Sequence, residues 1–356
     1  MRARCPVASS DFLGWSLFRY ADIAKVLADP QTFSSESPHR AIPNGMDPPA
    51  HTAYRDALAP LFSPDQMETF EPQCRALATD LVRQLKDHPE PDIIAGLAEP
   101  FPLQTLCLFY GWPPETWTLV QGWNHGNQRA AYAGDREAGR ALAEAFAAHV
   151  LTSLRSIRAI PQHERDGVLA RLVTTEVDGR FLSDDDIVSI LRTWTAGHGT
   201  VASALGILLF HLASDLALQQ RLRGEPHLIP AFIEDVLRAD DPLGSNRRTA
   251  SRDVEIDGRK IAAGEHLTLM WMAANRDPSA FDDPDSIRLD RKAPATLVFG
   301  GGIHVCLGAP LARLQLRVAI EEIVAQTTAI TLTTGDVPGR DTYPSNGLVE
   351  LRVRLS

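Results

Sequence analysis

Cysteine is scarce: the chain has four, and Cys5, Cys74, Cys107 and Cys306 lie far apart. That spacing excludes a disulfide framework and a paired-cysteine zinc site. Three of them read as small apolar residues in or near a core. Positive charge is not in excess either. Lys plus Arg is 35 against 45 Asp plus Glu, a net charge of −10, which argues against a nucleic-acid partner. The acid is scattered, with one local run at Asp184-Asp185-Asp186, so it forms no tail. No stretch reaches the ~18 uninterrupted apolar residues of a membrane-spanning helix. The segment Met1–Ser10 lacks the apolar core of a signal peptide. The expectation is a soluble, cytoplasmic chain with no membrane partner. With 44% hydrophobic and 22% charged residues, disorder, collagen and a coiled-coil rod are also excluded.

What is there is mostly helical. Helical patterns cover Tyr20–Ala28, Pro64–Lys86, Ile93–Tyr110, Glu115–Trp123 and Arg136–Ile157, with glycine and proline between them. The longest starts at Ser183, a good N-cap, with three aspartates complementing the helix dipole in its first turn. Apolar residues then recur at helical spacing from Ile187 to about Ala213. A helix of that length, ~45 Å, apolar on more than one side, belongs at the centre of a large domain. After about Asp240 short strand-like pieces take over, at Asn246–Ala250, Val254–Ile256 and His266–Trp271, with a hairpin signal at Asp257-Gly258. A helix from Gly308 to about Gln326 and strands at Ala329–Thr333 and Leu348–Leu355 end the chain. The fold class expected is mainly α with small β-sheets.

The most informative stretch is Phe299-Gly-Gly-Gly-Ile-His-Val-Cys-Leu-Gly308. Consecutive glycines permit close backbone approach, and the helix that follows stabilises a thiolate at Cys306. A phosphate cradle is the obvious rival, but the stretch lacks its Gly-Lys-Ser/Thr ending and a preceding βαβ unit. A lone buried cysteine is the plain alternative. The pattern Phe299, Gly302, His304, Cys306, Gly308 resembles the haem loop of the cytochrome P450 family at every fixed position. The resemblance implies that Cys306 is the proximal iron ligand, that Phe299 and Gly300 pack the loop, and that His304 reaches a haem propionate. Asp47-Pro-Pro-Ala-His-Thr-Ala-Tyr-Arg55 is similar to a further family segment and implies propionate contacts from His51 and Arg55, which share a helix face. Arg248 matches the family's strand arginine to the other propionate, with Arg247 a neighbouring alternative. Glu234-Asp-Val-Leu-Arg238 stands where the family has a structural Glu-x-x-Arg pair. Here Asp235 or Glu234 can reach Arg238, and Arg291 fits as the third member. Ala274–Pro278 and Pro284-Asp285 match further landmarks. Trp15–Ser35 resembles the family's first strands and second helix, while its first helix is absent.

Trp194-Thr-Ala-Gly-His-Gly-Thr-Val201 resembles the oxygen-activating stretch of the family's long helix. By that resemblance Ala196 and Gly197 leave room over the haem and Thr200 relays hydrogen bonds. A mid-helix threonine also commonly bonds its own backbone. The acid that usually precedes this threonine is replaced by Gly199, so proton delivery leans on Thr200, waters or His198, and His198 equally suits a structural place. Substrate-facing residues are expected from the short loop Pro38–Met46, from Trp123–Ala131 (where Asn124, His125 and Arg129 offer polar anchoring), from Trp194–Gly197, and from Leu243–Asn246, with Trp194, Leu243 and Ser245 in the pocket wall.

The reading is one P450 haem domain over residues 1–356. It is helix-rich over about 50–240 and 309–326, with β elements at about 15–20, 246–271 and 329–355. The resemblance implies haem b, oxygen insertion into a small or medium hydrophobic substrate, and electrons from a ferredoxin with its reductase or from a reductase domain. Arg313 and Arg317 are candidates for docking an acidic ferredoxin. A peroxide-driven oxygenase and a non-catalytic haem sensor are the alternatives.

Overall fold

The computed structural model describes residues 4–292, 295–333 and 338–356. The chain opens with a hairpin of β1 (Val7–Ser10) and β2 (Gly14–Leu17), then α1 (Tyr20–Ala28) and β3 (Phe33–Ser34). Helices follow: α2 (Ala50–Leu58), α3 (Pro64–Leu85), α4 (Pro100–Tyr110), α5 (Trp117–Ala133), α6 (Arg136–Ala159) and α7 (Gly167–Leu172). A small hairpin, β4 (Glu176–Val177) and β5 (Arg180–Phe181), leads into α8 (Asp184–Ser214), α9 (Leu216–Gly224) and α10 (Ile229–Ala239). The strands β6 (Asn246–Ala250), β7 (Val254–Ile256), β8 (Arg259–Ile261) and β9 (His266–Leu269) precede α11 (Trp271–Ala274), α12 (Ala309–Gln326), β10 (Ile330–Leu332) and β11 (Val353–Leu355).

Helix α8 organises the molecule. Ser183 and Asp186 form a reciprocal capping box at its start: the Ser183 hydroxyl accepts from the Asp186 amide, and the Asp186 carboxylate accepts from the Ser183 amide. Its 31 residues pack against α4, α6, α10 and α12. Among the described residues it alone is long and apolar enough to cross a membrane, yet 56% of its most apolar stretch is buried inside the protein. The large helical core runs along it, and a smaller core lies between α1 and the main sheet. That sheet has the order β1-β2-β9-β6-β3. Arg248 of β6 sits opposite Leu267 of β9, on an interior strand.

Three expectations change. The helix expected over Ile93–Tyr110 breaks into a wide turn at Ile94–Ala98 and then α4. Pro100 and Pro102 lack the amides to continue the ladder and suit a first turn instead. Helix α5 continues to Ala133, past Gly122 and Gly126, because packing on α6 outweighs local propensity. The Asp257-Gly258 turn joins β7 to β8, whereas β9 pairs with β2 and β6. Within the expected β region 329–355, residues 334–337 lie outside the described residues.

Candidate functional site

The loop before α12 folds as a single tight turn, Gly302–His304, closed by bonds from the Cys306 amide to the Phe299 carbonyl (2.8 Å) and from the Val305 amide to Gly302 (3.2 Å). Gly302 has φ +63°, and a Cβ there would lie 2.1 Å from the Leu27 carbonyl oxygen, so only glycine lets the loop rest on α1. The Arg313 guanidinium covers the Phe299 ring at 4.3 Å. Cys306 is solvent-accessible but closely walled. Burial pushes its thiol up, against the pull of the Gly308 and Ala309 amides and of the Arg55 and Arg313 charges.

Around this loop the fold gathers the side chains that the sequence nominated. His51 is 2% exposed and its ring lies 4.2 Å from that of His304. Both ring nitrogens of His51, and Nε2 of His304, are buried without a hydrogen-bond partner. The Arg55 side chain makes no hydrogen bond or ion pair among the described residues, and Arg55 lies close enough to Cys306 for the two to influence one another electrostatically. Arg248 is 8% exposed and among the described residues its side chain donates only to the carbonyl of Arg247, while Arg247 itself is exposed. Burial lowers the pKa of His51 and holds His304 down at about 4, with neighbouring cations adding to the effect. Buried donors without acceptors are costly. Asp47 lies near enough to act on three of these groups, but none of the two imidazoles and two guanidinium groups is ion-paired to a carboxylate among the described residues, which fits a ligand with two acid groups, and a thiolate donor beside them fits iron. The residues therefore fit a haem.

The neighbouring scaffold is self-sufficient. Asp235 accepts from Arg238 Nε (2.7 Å), Arg291 Nε (2.6 Å) and the Arg288 amide (2.5 Å). Arg238, fully buried, also donates to the carbonyls of Asn275, Pro284 and Ser286. Of the two acids open to it in sequence, Arg238 takes Asp235, because Glu234 turns outward to Arg313.

Along α8, Ala196, Gly197 and Gly199 are exposed and Thr200 is half-buried. Thr200 makes no side-chain hydrogen bond among the described residues, whereas Thr193 bonds its own helix at Ser189 and Thr195 pairs with Tyr110. The stretch thus leaves one face open with a free hydroxyl on it. No hydrogen bond or ring contact among the described residues joins it to the His51 cluster.

His198 lies on the other side of the helix, 3.1 Å from the Trp194 carbonyl. Burial lowers its pKa to about 4, so it is neutral at pH 7 and directed away from the open face. This corrects its place as a proton donor there. Trp194 also differs from expectation: at helical spacing from His198 it packs edge-on against Phe62, with ring centroids 5.0 Å apart, and near Tyr110. Leu243 is half-buried and bridges Ser345. Ser245 is 9% exposed and shares a hydrogen bond with the Tyr343 hydroxyl. Tyr343 escaped the sequence reading because it sits in an irregular segment about a hundred residues from its partner. His125 is engaged by Glu99.

The sequence model described as cytochrome P450 matches residues 134–349. The chain belongs to the cytochrome P450 family. Its relatives include the erythromycin C-12 hydroxylase of Saccharopolyspora erythraea, 35% identical over 94% of this chain and 87% of that one. The cyclomarin C epoxidase CymV of Salinispora arenicola is 32% identical over 95% and 90%. A mutant of P450 EryK in complex with erythromycin B superposes with a TM-score of 0.91 at 31% identity, over 100% of this chain and 94% of that one. This P450 is a monooxygenase with the P450 fold, and family membership implies a haem.

Arg313 and Arg317, the expected docking cations of this P450, are already paired. Arg313 holds Glu234 (2.6 Å), and Arg317 holds Glu71 (2.5 Å) and Glu321 (3.1 Å) in a network shared with Arg75. That patch carries both signs of charge.

Proposed function

We propose that this P450 binds haem b through Cys306, with His51, Arg55, Arg248 and His304 on the two propionates, and inserts one oxygen atom into a hydrophobic organic substrate. The observation that carries this reading is the set of two guanidinium and two imidazole groups, none ion-paired to a carboxylate among the described residues, gathered beside one cysteine. Haem held by a thiolate supplies dioxygen activation for insertion into unactivated bonds. The chain's own residues bind, orient and move protons. The Gly308 and Ala309 amides support the sulfur's negative charge. Ala196 and Gly197 keep the α8 face free of bulk, and the Thr200 hydroxyl holds a proton or water there. The substrate is a small or medium apolar molecule beside Leu243 and Ser245. The names of the relatives, an erythromycin hydroxylase and a cyclomarin epoxidase, favour the larger end of that range.

Electrons come from a separate ferredoxin and reductase or from a reductase domain. A cytoplasmic location belongs to the same reading, supported by the largely buried α8. The second reading, peroxide-driven oxygenation, has one specific observation in its favour: Gly199 places no carboxylate before Thr200, and His198 points the wrong way to replace one.

The test is the absorption spectrum of the purified protein, reduced with dithionite and exposed to carbon monoxide. A Soret band shifted far to the red is expected for thiolate ligation. A band at the shorter, histidine-like position, or no haem absorption after reconstitution, refutes the assignment. Product formed with peroxide, compared with that formed with a ferredoxin system, then separates the two oxygenase readings.

A further inference from the structure

Asp186 does more than close the capping box. Its carboxylate is fully buried and accepts from five donors in four segments. Ser183 contributes its amide (2.9 Å) and hydroxyl (2.8 Å) from the start of α8. Arg180 donates from β5 (2.9 Å), and the Tyr54 hydroxyl donates from α2 (3.0 Å). Arg40 donates from the loop between β3 and α2. Arg180 also donates to the Tyr54 hydroxyl (2.7 Å), so the two partners brace one another. Burial alone would raise the carboxyl's pKa, but these donors hold it well below the usual carboxylate range.

Three of these donors exceed what a helix cap requires, and their positions matter. Tyr54 directly precedes Arg55 and follows His51 by three residues on a helix of only nine. The loop bearing Arg40 is fastened to α8 at three more points: the Ile42 amide donates to the Ser189 hydroxyl (3.1 Å), and Ser189 and Arg192 donate to the Arg40 carbonyl (3.1 and 2.6 Å). We propose that Asp186 is a positioning residue for the haem: one buried carboxylate fixes both the helix that presents His51 and Arg55 and the short loop before it to the first turn of α8. This rests on the haem reading above. On this view the loop over Pro38–Met46 is a fixed wall, and substrate entry requires movement of another element.

The test measures transfer of haem from the holoprotein to an excess of a haem-scavenging apoglobin, with backbone hydrogen exchange of residues 37–46 followed in parallel. Asp186→Asn is expected to do both things: release haem about tenfold faster, the scale of losing charge-assisted bonds to a buried carboxylate, and speed exchange in the loop. Tyr54→Phe should speed release alone, and Arg40→Ala should speed loop exchange alone. These two variants carry the test where Asp186→Asn does not fold. Ser183→Ala removes the cap but leaves Arg40, Arg180 and Tyr54 in place, so it should lower thermal stability without moving the release rate. The proposal is overturned by wild-type release and exchange in folded Asp186→Asn. It is equally overturned if Ser183→Ala releases haem as fast as Asp186→Asn, since the effect would then belong to the helix start. Failure of the wild type to take up haem refutes the underlying function instead, and exchange in the protein as purified still decides whether the clamp exists.

Discussion

Two groups of basic side chains lie near the loop of Cys306, and they differ in one respect. Arg238 and Arg291 meet a carboxylate of the protein itself, Asp235, and Arg238 spends its remaining donors on three carbonyls. Arg55, Arg248, His51 and His304 meet none. A buried charge without a partner is penalised heavily, so a fold tolerates it only where something else neutralises it. The paired group is scaffold. The unpaired group is the one that fits an anionic ligand, as the proposed haem site requires.

The largest effect that could break this comparison is on the paired side. Arg238→Met strands three carbonyls and removes half the compensation of Asp235. Breaking a buried pair on one side typically costs about 3–5 kcal/mol, so denaturant unfolding should show a loss of that order, or no folded protein at all. The same type of change on the unpaired side should act in the opposite sense on the empty protein. Arg248→Leu removes a cation that burial already disfavours, so the protein freed of haem should be unchanged or slightly more stable while haem retention falls. If both variants destabilise the haem-free protein equally, the distinction between scaffold and ligand site fails.

Acid sharpens the same point through a third cluster. Burial would raise the pKa of Asp240, but hydrogen bonds from His211 and Arg340 bring it down to about 2. A depressed carboxylate pKa contributes stability that is fully present above the ordinary aspartate pKa and is lost as pH falls through the folded value. The contribution, about 2 kcal/mol from the size of the shift, should therefore disappear between roughly pH 4 and pH 2. Arg340→Ala should shrink that loss in urea melts compared at pH 5 and pH 2.5. Wild-type pH dependence in that variant would show that the pair does not carry the effect.

How much of this was visible beforehand divides along physical lines. The capped start of α8, the helix after Gly308 and the strand before Asp257-Gly258 rest on local chemistry, and the structure has them as read, whereas the strand that follows that turn is Arg259–Ile261 and not the expected His266–Trp271. The family resemblance of the Cys306 loop was legible because five fixed residue types fall within ten positions. What depended on tertiary context was not. Whether Asp235 or Glu234 holds Arg238 was left open by helix spacing and is decided by Arg313 drawing Glu234 outward. His198 and Thr200 are two residues apart, yet a helix turns them to different environments, and only packing reveals which side faces the core. Tyr343 and the clamp on Asp186 join segments about a hundred residues apart or more, and no local pattern announces such partners.

The smallest effect concerns Arg313, which belongs to neither buried group. It is exposed, paired with the less accessible Glu234, and stacked on Phe299. An exposed pair of this kind is worth about 0–1 kcal/mol, so Arg313→Gln should hardly move the melting temperature. Its charge is already answered by Glu234, as that of Arg317 is by Glu71 and Glu321. Partner-driven turnover should therefore keep both its rate and its salt dependence in the variant, since steering by a patch of mixed sign is weak. The Phe299 carbonyl accepts the Cys306 amide, so the one property expected to move is the Soret position of the ferric protein, by a small shift as the ring loses its cover. A steep loss of turnover together with a flattened salt dependence would instead make Arg313 a docking cation despite its partner, and would show that an exposed pair can open to receive another protein where a buried one cannot.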